Sequence, residues 1–198
     1  MKTVLAVTLG FSLLPGCESS KRNVIVVSQN QYFECESSKT IETEMIRLIN
    51  KARSSKRRCG LKRLPAANPM KWNSNLAKAA LKHSIDMANH DFLGHRGSNG
   101  SWVTKRVEEE GYTWSSVGEN ISGGRESSKE TIQAWLASPD HCANIMASFF
   151  TEIGAACFRN PSSKYGTYWT LVLASPKEQS HSDALGTAWE RVAMFDAH

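Results

Sequence analysis

Two histidines and two glutamates stand in short motifs at the ends of patterned segments. His95 follows Phe92-Leu93-Gly94, Glu119 lies within Gly118-Glu119-Asn120, His141 ends Ser138-Pro139-Asp140-His141, and Glu152 lies within Thr151-Glu152-Ile153-Gly154. Loop and element-end positions are where sites concentrate on a rigid scaffold. With Ser138 as N-cap and Pro139 as first helical residue, His141 falls in a first turn, where the positive end of the helix disfavours imidazolium and leaves a neutral ring nitrogen for a metal. Two imidazoles and two carboxylates can hold Zn²⁺ or a similar divalent cation. Alternatively the histidines hold the metal while Glu119 or Glu152 activates water as a general base. The chain has no H-E-x-x-H run, and the separation of His95 from His141 does not bring them together. Each of the four residues reads equally well as an ordinary surface or helix-end side chain. Covalent catalysis has no Ser or Cys nucleophile with a matching partner motif.

The elements that must position these residues are well punctuated. From Thr40 a helix is predicted, with Ile41, Met45, Leu48 and Ala52 on one stripe and Glu42 and Glu44 in its first turn. Lys56, Arg57, Arg58, Lys62 and Arg63 follow in a loop around Cys59 and Gly60, read as a solvated connection or as a surface attracted to an anionic membrane or wall. Pro65 and Pro69 then stop any helix. Asn73 or Ser74 caps a second helix to about His90, whose stripe of Leu76, Ala80, His83 and Met87 makes His83 a core histidine in preference to a ligand. Ser101 is placed as the cap of a third helix ending at Gly111. Ser127 to Glu130 reads as a capping box opening a fourth, with Ile132, Trp135 and Leu136 inward. Period-two alternation at Ile153, Ala155, Cys157 and again at Tyr168, Thr170, Val172, with turn residues 160–163 between, predicts a hairpin; residues 118–121 add a further strand. Helices early and antiparallel strands late indicate α+β, a layered sandwich. A small helix carrying Leu185, Trp189 and Val192 is expected in the tail.

A chain of 198 residues, 40% hydrophobic and 22% charged, has the composition of one globular domain, outside collagen, disordered tails and multi-span membrane proteins. Its net charge of +5 is spread along the chain and does not make nucleic acid the partner. Lys2, the apolar run Val4 to Leu14, and Pro15-Gly16-Cys17 read as a secretory signal, since the run is shorter than the about twenty residues that cross a bilayer. Residues 1–16 are expected to be removed. Leu14-Pro15-Gly16-Cys17 resembles a bacterial lipobox with Pro15 in place of the usual small residue, so Cys17 is the candidate lipidated N-terminus, with ordinary secretion as the alternative. Either way the chain is expected to be exported, either anchored by lipid in a bacterial envelope or extracellular. Four cysteines remain in an oxidising compartment and allow three connectivities. Sequence proximity favours Cys35 with Cys59 and Cys142 with Cys157; four free thiols is the alternative.

Taken in order, Lys71-Trp72-Asn73 through Met87, Phe92 to His95, Gly111-Tyr112 to Trp114, Gly118 to Ile121, Ser138 to Met146 and Phe150 to Gly154 resemble a bacterial member of the CAP superfamily. That superfamily joins the cysteine-rich secretory, antigen-five and pathogenesis-related proteins, and the resemblance covers residues 40–175. It implies a three-layer α-β-α sandwich with a small antiparallel sheet and a central cavity lined by two His and two acidic residues. His95 and Glu119 match the first His and the Gly-Glu-Asn element, His141 the Ser-Pro-x-His element and Glu152 the Thr-Glu-Ile-Gly element. In eukaryotic members the second cavity histidine sits elsewhere. The neighbour pairing of the cysteines is also what the resemblance implies. His83 and Asp86 are left as structural residues, and Asn120 and Asn144 as local hydrogen-bonding residues. The expected protein is a binding protein holding a divalent cation at His95 and His141, flanked by Glu119 and Glu152, and an extracellular or envelope ligand. A metal-assisted peptidase and a lipid or sterol carrier are the alternatives.

Overall fold

The computed structural model describes residues 35–178. The signal segment, Cys17, most of the leader and the tail helix expected around Leu185 lie outside the described residues. Helix α1 (Ser38–Arg53) begins where the Ser37 hydroxyl accepts the Thr40 N–H at 3.1 Å, and buries Ile41, Met45, Ile49 and Ala52 at helical spacing. It starts two residues earlier than the apolar pattern suggests, so Glu42 and Glu44 lie beyond its first turn. The cationic segment after it is a hairpin, β1 (Arg57–Cys59) and β2 (Lys62–Leu64), and not an irregular loop. Strand β3 (Lys71–Trp72) leads into α2 (Ser74–Asn89), capped by the Asn73 side chain on the N–H groups of Asn75 and Leu76. Helix α3 (Val103–Glu109) starts at Trp102 without a side-chain cap, one residue later than a Ser101 cap would allow.

Strand β4 (Trp114–Gly123) is followed by α4 (Ser128–Ala137), α5 (Pro139–Met146), β5 (Glu152–Arg159) and β6 (Thr167–Pro176). At α4 the Ser127 hydroxyl caps the Glu130 N–H, but the Glu130 carboxylate bonds the Glu126 N–H, so only half of the capping box forms. Four strands make one sheet in the order β3-β5-β6-β4, with β3 parallel to β5 and the rest antiparallel. Alternation along β6 sorts the two faces. Trp169, Leu171 and Leu173 pack with Met45 and Ile49 of α1, Trp135 of α4 and Ile145 of α5. Val172 and Ala174 pack with Leu76 and Ala80 of α2 and Val107 of α3. The result is the expected three layers, helix over sheet over helix.

Arg53, at the end of α1, is fully buried and donates to the carbonyls of Asn68, Ile145, Ala147 and Phe150. Two of these lie at the C-terminal end of α5, where the helix dipole favours a cation. Burial pulls its pKa down to about 10, leaving it charged at neutral pH. Gly154 lets α2 lie directly on β5: a Cβ there would meet Ala77 N at 2.1 Å and Leu76 C at 2.4 Å. The glycine of the Thr-Glu-Ile-Gly run thus serves helix-on-sheet packing.

The cysteines pair between elements distant in sequence, Cys35 with Cys157 of β5 and Cys59 of β1 with Cys142 of α5, at Cα separations of 5.6 and 5.5 Å. This corrects the neighbour pairing. Cys35 precedes and Cys59 follows α1, whose 16 residues span about 24 Å, whereas bridged Cα atoms stand within about 7 Å. The chain enters β5 at Glu152, which carries Cys157 about 17 Å further along the strand, away from Cys142 and toward the start of α1.

Candidate functional site

Strand β4 is an edge strand, and its alternation turns Glu119 and Asn120 to opposite faces. Glu119, 7% exposed, points to the α2 and α3 side. Its Oε1 accepts the His95 Nδ1–H at 2.9 Å and its Oε2 accepts from Arg106 Nη2 at 2.7 Å. Arg106 also donates to the carbonyls of His95 and Ser101. It thus ties the loop after α2 to both α3 and the sheet. His83 Nε2 lies 2.8 Å from the Gly94 carbonyl and 3.8 Å from Glu119 Oε1, and Asp86 accepts the Ser98 N–H. His83 and Asp86 therefore brace the loop that carries His95, as their structural assignment expects.

On the other face, Asn120 donates to the His141 carbonyl at 3.0 Å and accepts from Asn144 Nδ2 at 2.9 Å. Gly118-Glu119-Asn120 is thus a two-sided connector: Glu119 holds His95, and Asn120 holds the turn of α5 that carries His141. Pro139 is the first residue of α5, as read from the sequence. Burial and the nearby His95 both push the His141 pKa down, against the opposing pull of Asp140.

Burial would raise the Glu119 pKa, but the His95 hydrogen bond and the positive charge of Arg106 outweigh it and hold the carboxyl below its usual range. An ionised carboxylate can only accept, so His95 carries its proton on Nδ1 and leaves Nε2 free as a lone-pair donor when the ring is neutral. His83 is pushed down chiefly by burial.

Glu152 does not join this group. Its Oε2 accepts from Tyr112 Oη at 2.8 Å and from Asn73 Nδ2 at 3.1 Å. On β5 it pairs with Ala174 of β6, whereas Glu119 on β4 pairs with Val172 of that same strand, so β6 lies between them. Among the described residues no three His, Cys, Asp or Glu side chains are grouped so as to hold a metal ion. Glu152 is thus hydrogen-bonded to partners other than the His95–Glu119–Arg106 set. Glu119 fixes the orientation of the His95 ring through their hydrogen bond. Arg106 is the residue that sequence reading passed over. Val103, Arg106 and Val107 fall on one helical stripe, so the period already placed this arginine toward the buried face.

Residues 46–173 match the family model described as CAP, the cysteine-rich secretory protein family. The uncharacterized protein YkwD of Bacillus subtilis is 27% identical over 129 residues, covering 65% of this chain and 45% of its own length. Among solved structures, an extracellular SCP-domain protein of Bacillus anthracis matches with TM-score 0.56 and 21% identity over 69% of this chain and 41% of its own. An outer surface protein of Borrelia burgdorferi matches with TM-score 0.53 and 16% identity over 70% of this chain and 92% of its own. The chain spans less than half the length of the two Bacillus proteins.

Proposed function

The chain belongs to the CAP family of cysteine-rich secretory proteins, and from that premise we propose that it is an exported binding protein that takes a divalent cation between His95 and His141. The observation that carries this reading is the buried Glu119 carboxylate on His95 Nδ1, which sets the tautomer that leaves Nε2 for a metal. His95 Nε2 and the neutral His141 ring would hold the ion, and Glu119 and Arg106 would keep the first of these rings in place. A bound cation supplies a Lewis-acidic anchor for an oxygen of an extracellular or envelope ligand. Export is supported by the two disulfides, by the signal-like first sixteen residues, and by the extracellular and outer-surface character of the Bacillus anthracis and Borrelia proteins. Lipidation at Cys17 belongs to the same proposal. Zn²⁺ titration by calorimetry is the test. Wild type should bind and the His95→Ala/His141→Ala double variant should not; equal affinity overturns the reading. Glu119→Gln should weaken binding about 10–100-fold while leaving both ligands present.

Lipid carriage is a second reading with its own support. A groove of about 320 Å³ lies between α1 and α2, lined by apolar groups that include Ile41, Trp72 and Leu81, at the small end of ligand-pocket sizes. It predicts co-purifying lipid detectable by mass spectrometry; protein that stays lipid-free after growth in lipid-rich medium would overturn it. Peptide hydrolysis lacks comparable support. Glu119 is held ionised with both oxygens bonded, which makes it a weak base, and Glu152 is bonded to Tyr112 and Asn73.

A further inference from the structure

The β1–β2 hairpin places Lys56, Arg57, Arg58, Lys62 and Arg63 around a two-residue turn, Gly60-Leu61. Leu61 is 92% exposed at the tip. Gly60 has φ +60°, which this turn position demands, and its backbone packs so closely on Pro139 that a Cβ would stand 2.9 Å from the Pro139 side chain. The Cys59–Cys142 disulfide fastens the same spot to α5. The tip is therefore held outward by the fold, with a large apolar side chain in water.

Cross-strand register sharpens the point. Arg58 stands directly opposite Arg63, an arrangement that costs stability in the absence of an anion. None of the five cations makes an ion pair with a described acidic side chain. A cleft of about 270 Å³ is lined by Lys56, Arg57, Arg58 and Arg63 alone, and the buried Arg57 Nε makes no hydrogen bond. Concentrated cations without carboxylate partners call for phosphate-like oxygens. An exposed leucine among them calls for an apolar phase just beyond those oxygens. A soluble polyanion offers the first only, whereas a bilayer of anionic phospholipid offers both at the right depth order.

We propose that the β1–β2 hairpin is a docking surface for an anionic phospholipid membrane, with Leu61 entering the acyl boundary and the flanking cations meeting headgroup phosphates. This surface is separate from the His95 site and does not rest on the cation reading. Because Gly60 abuts Pro139, two residues before His141, docking holds α5 and the site it carries beside the headgroups.

The test is sedimentation of the full chain carrying Cys17→Ser with vesicles of phosphatidylcholine, alone or with 30% (roughly one lipid in three) phosphatidylglycerol. The ratio of the two partition coefficients cancels any contribution of the N-terminal apolar run. Each cation near the surface is worth about fivefold, so Arg58→Ser/Arg63→Ser should lower the ratio about 25-fold. Leu61→Ser, which leaves the charge unchanged, should lower partition into anionic vesicles about tenfold. Lys105→Ser/Lys129→Ser, removing equal charge elsewhere, should change the ratio far less, and unchanged thermal midpoints will show that the exposed substitutions leave the fold intact. Equal loss in the Lys105/Lys129 control overturns the proposal. So does a Leu61→Ser protein that partitions as wild type, since that identifies a surface for soluble polyanions.

Discussion

Replacing Cys35 and Cys157 together by serine probes the long-range cysteine connectivity most directly. The bridge closes a separation of 122 residues, and the chain-entropy relation assigns such a loop about 5 kcal/mol; the Cys59–Cys142 bridge, at 83, comes to about 4.5 kcal/mol. Neighbour pairing would close far shorter loops, worth about 3 kcal/mol each. In a domain of this size each kcal/mol moves the thermal midpoint by roughly 2–4 °C, so loss of either bridge should lower it by about 10–20 °C. Single variants identify the partners. Cys59→Ser should leave a free thiol at Cys142, found by alkylation under denaturing conditions and peptide mass spectrometry, with Cys35 still bridged to Cys157. A free thiol at Cys35 in that variant, or a peptide joining Cys35 to Cys59 in the wild type, would refute the argument that α1 is too long to allow the local bond.

Arg106→Met removes the counter-charge of a buried carboxylate and should cost about 3–5 kcal/mol in urea unfolding, with His95 losing its fixed orientation; an unchanged midpoint would show that Glu119 finds other partners. Gly154→Ala forces a methyl group against the backbone of α2 and should destabilise by at least about 1–3 kcal/mol, read from the same titration, with a neutral outcome refuting the close approach. His83 and His141 have depressed pKa values in the folded chain. The unfolded chain therefore binds more protons below about 6.5, and stability should fall as pH drops through that value and level off above it. Glu119, also depressed, adds stability that is lost only at more acidic pH, below about 4.5. Urea midpoints from pH 5 to 8 (roughly spanning the histidine range) check this; a flat profile in wild type, or an equally steep one in His141→Ala, contradicts it.

Secondary structure was legible wherever local chemistry decides it. Asn73, Ser127 and Pro139 mark helix starts because their side chains or ring satisfy first-turn requirements within three residues. The alternation at Ile153, Ala155 and Cys157 revealed a strand because only one face meets α1 and α4. The hairpin at Cys59-Gly60-Leu61-Lys62 was missed because its strands are only three residues long and mostly charged.

The site divides along the same line. By itself the sequence determined that His95, Glu119 and His141 sit in motifs fit for chemistry, that His83 is a core histidine, and that the family is CAP, since each depends on residue type and short-range order. Tertiary structure alone decided that Arg106 closes on Glu119, that Glu152 belongs to Tyr112 and Asn73, and that each cysteine bridges to a distant element in place of its neighbour. Those outcomes turn on which strands lie between two residues and how far a rigid helix carries a chain. Strand order and helix length act over tens of residues, beyond the reach of any local pattern.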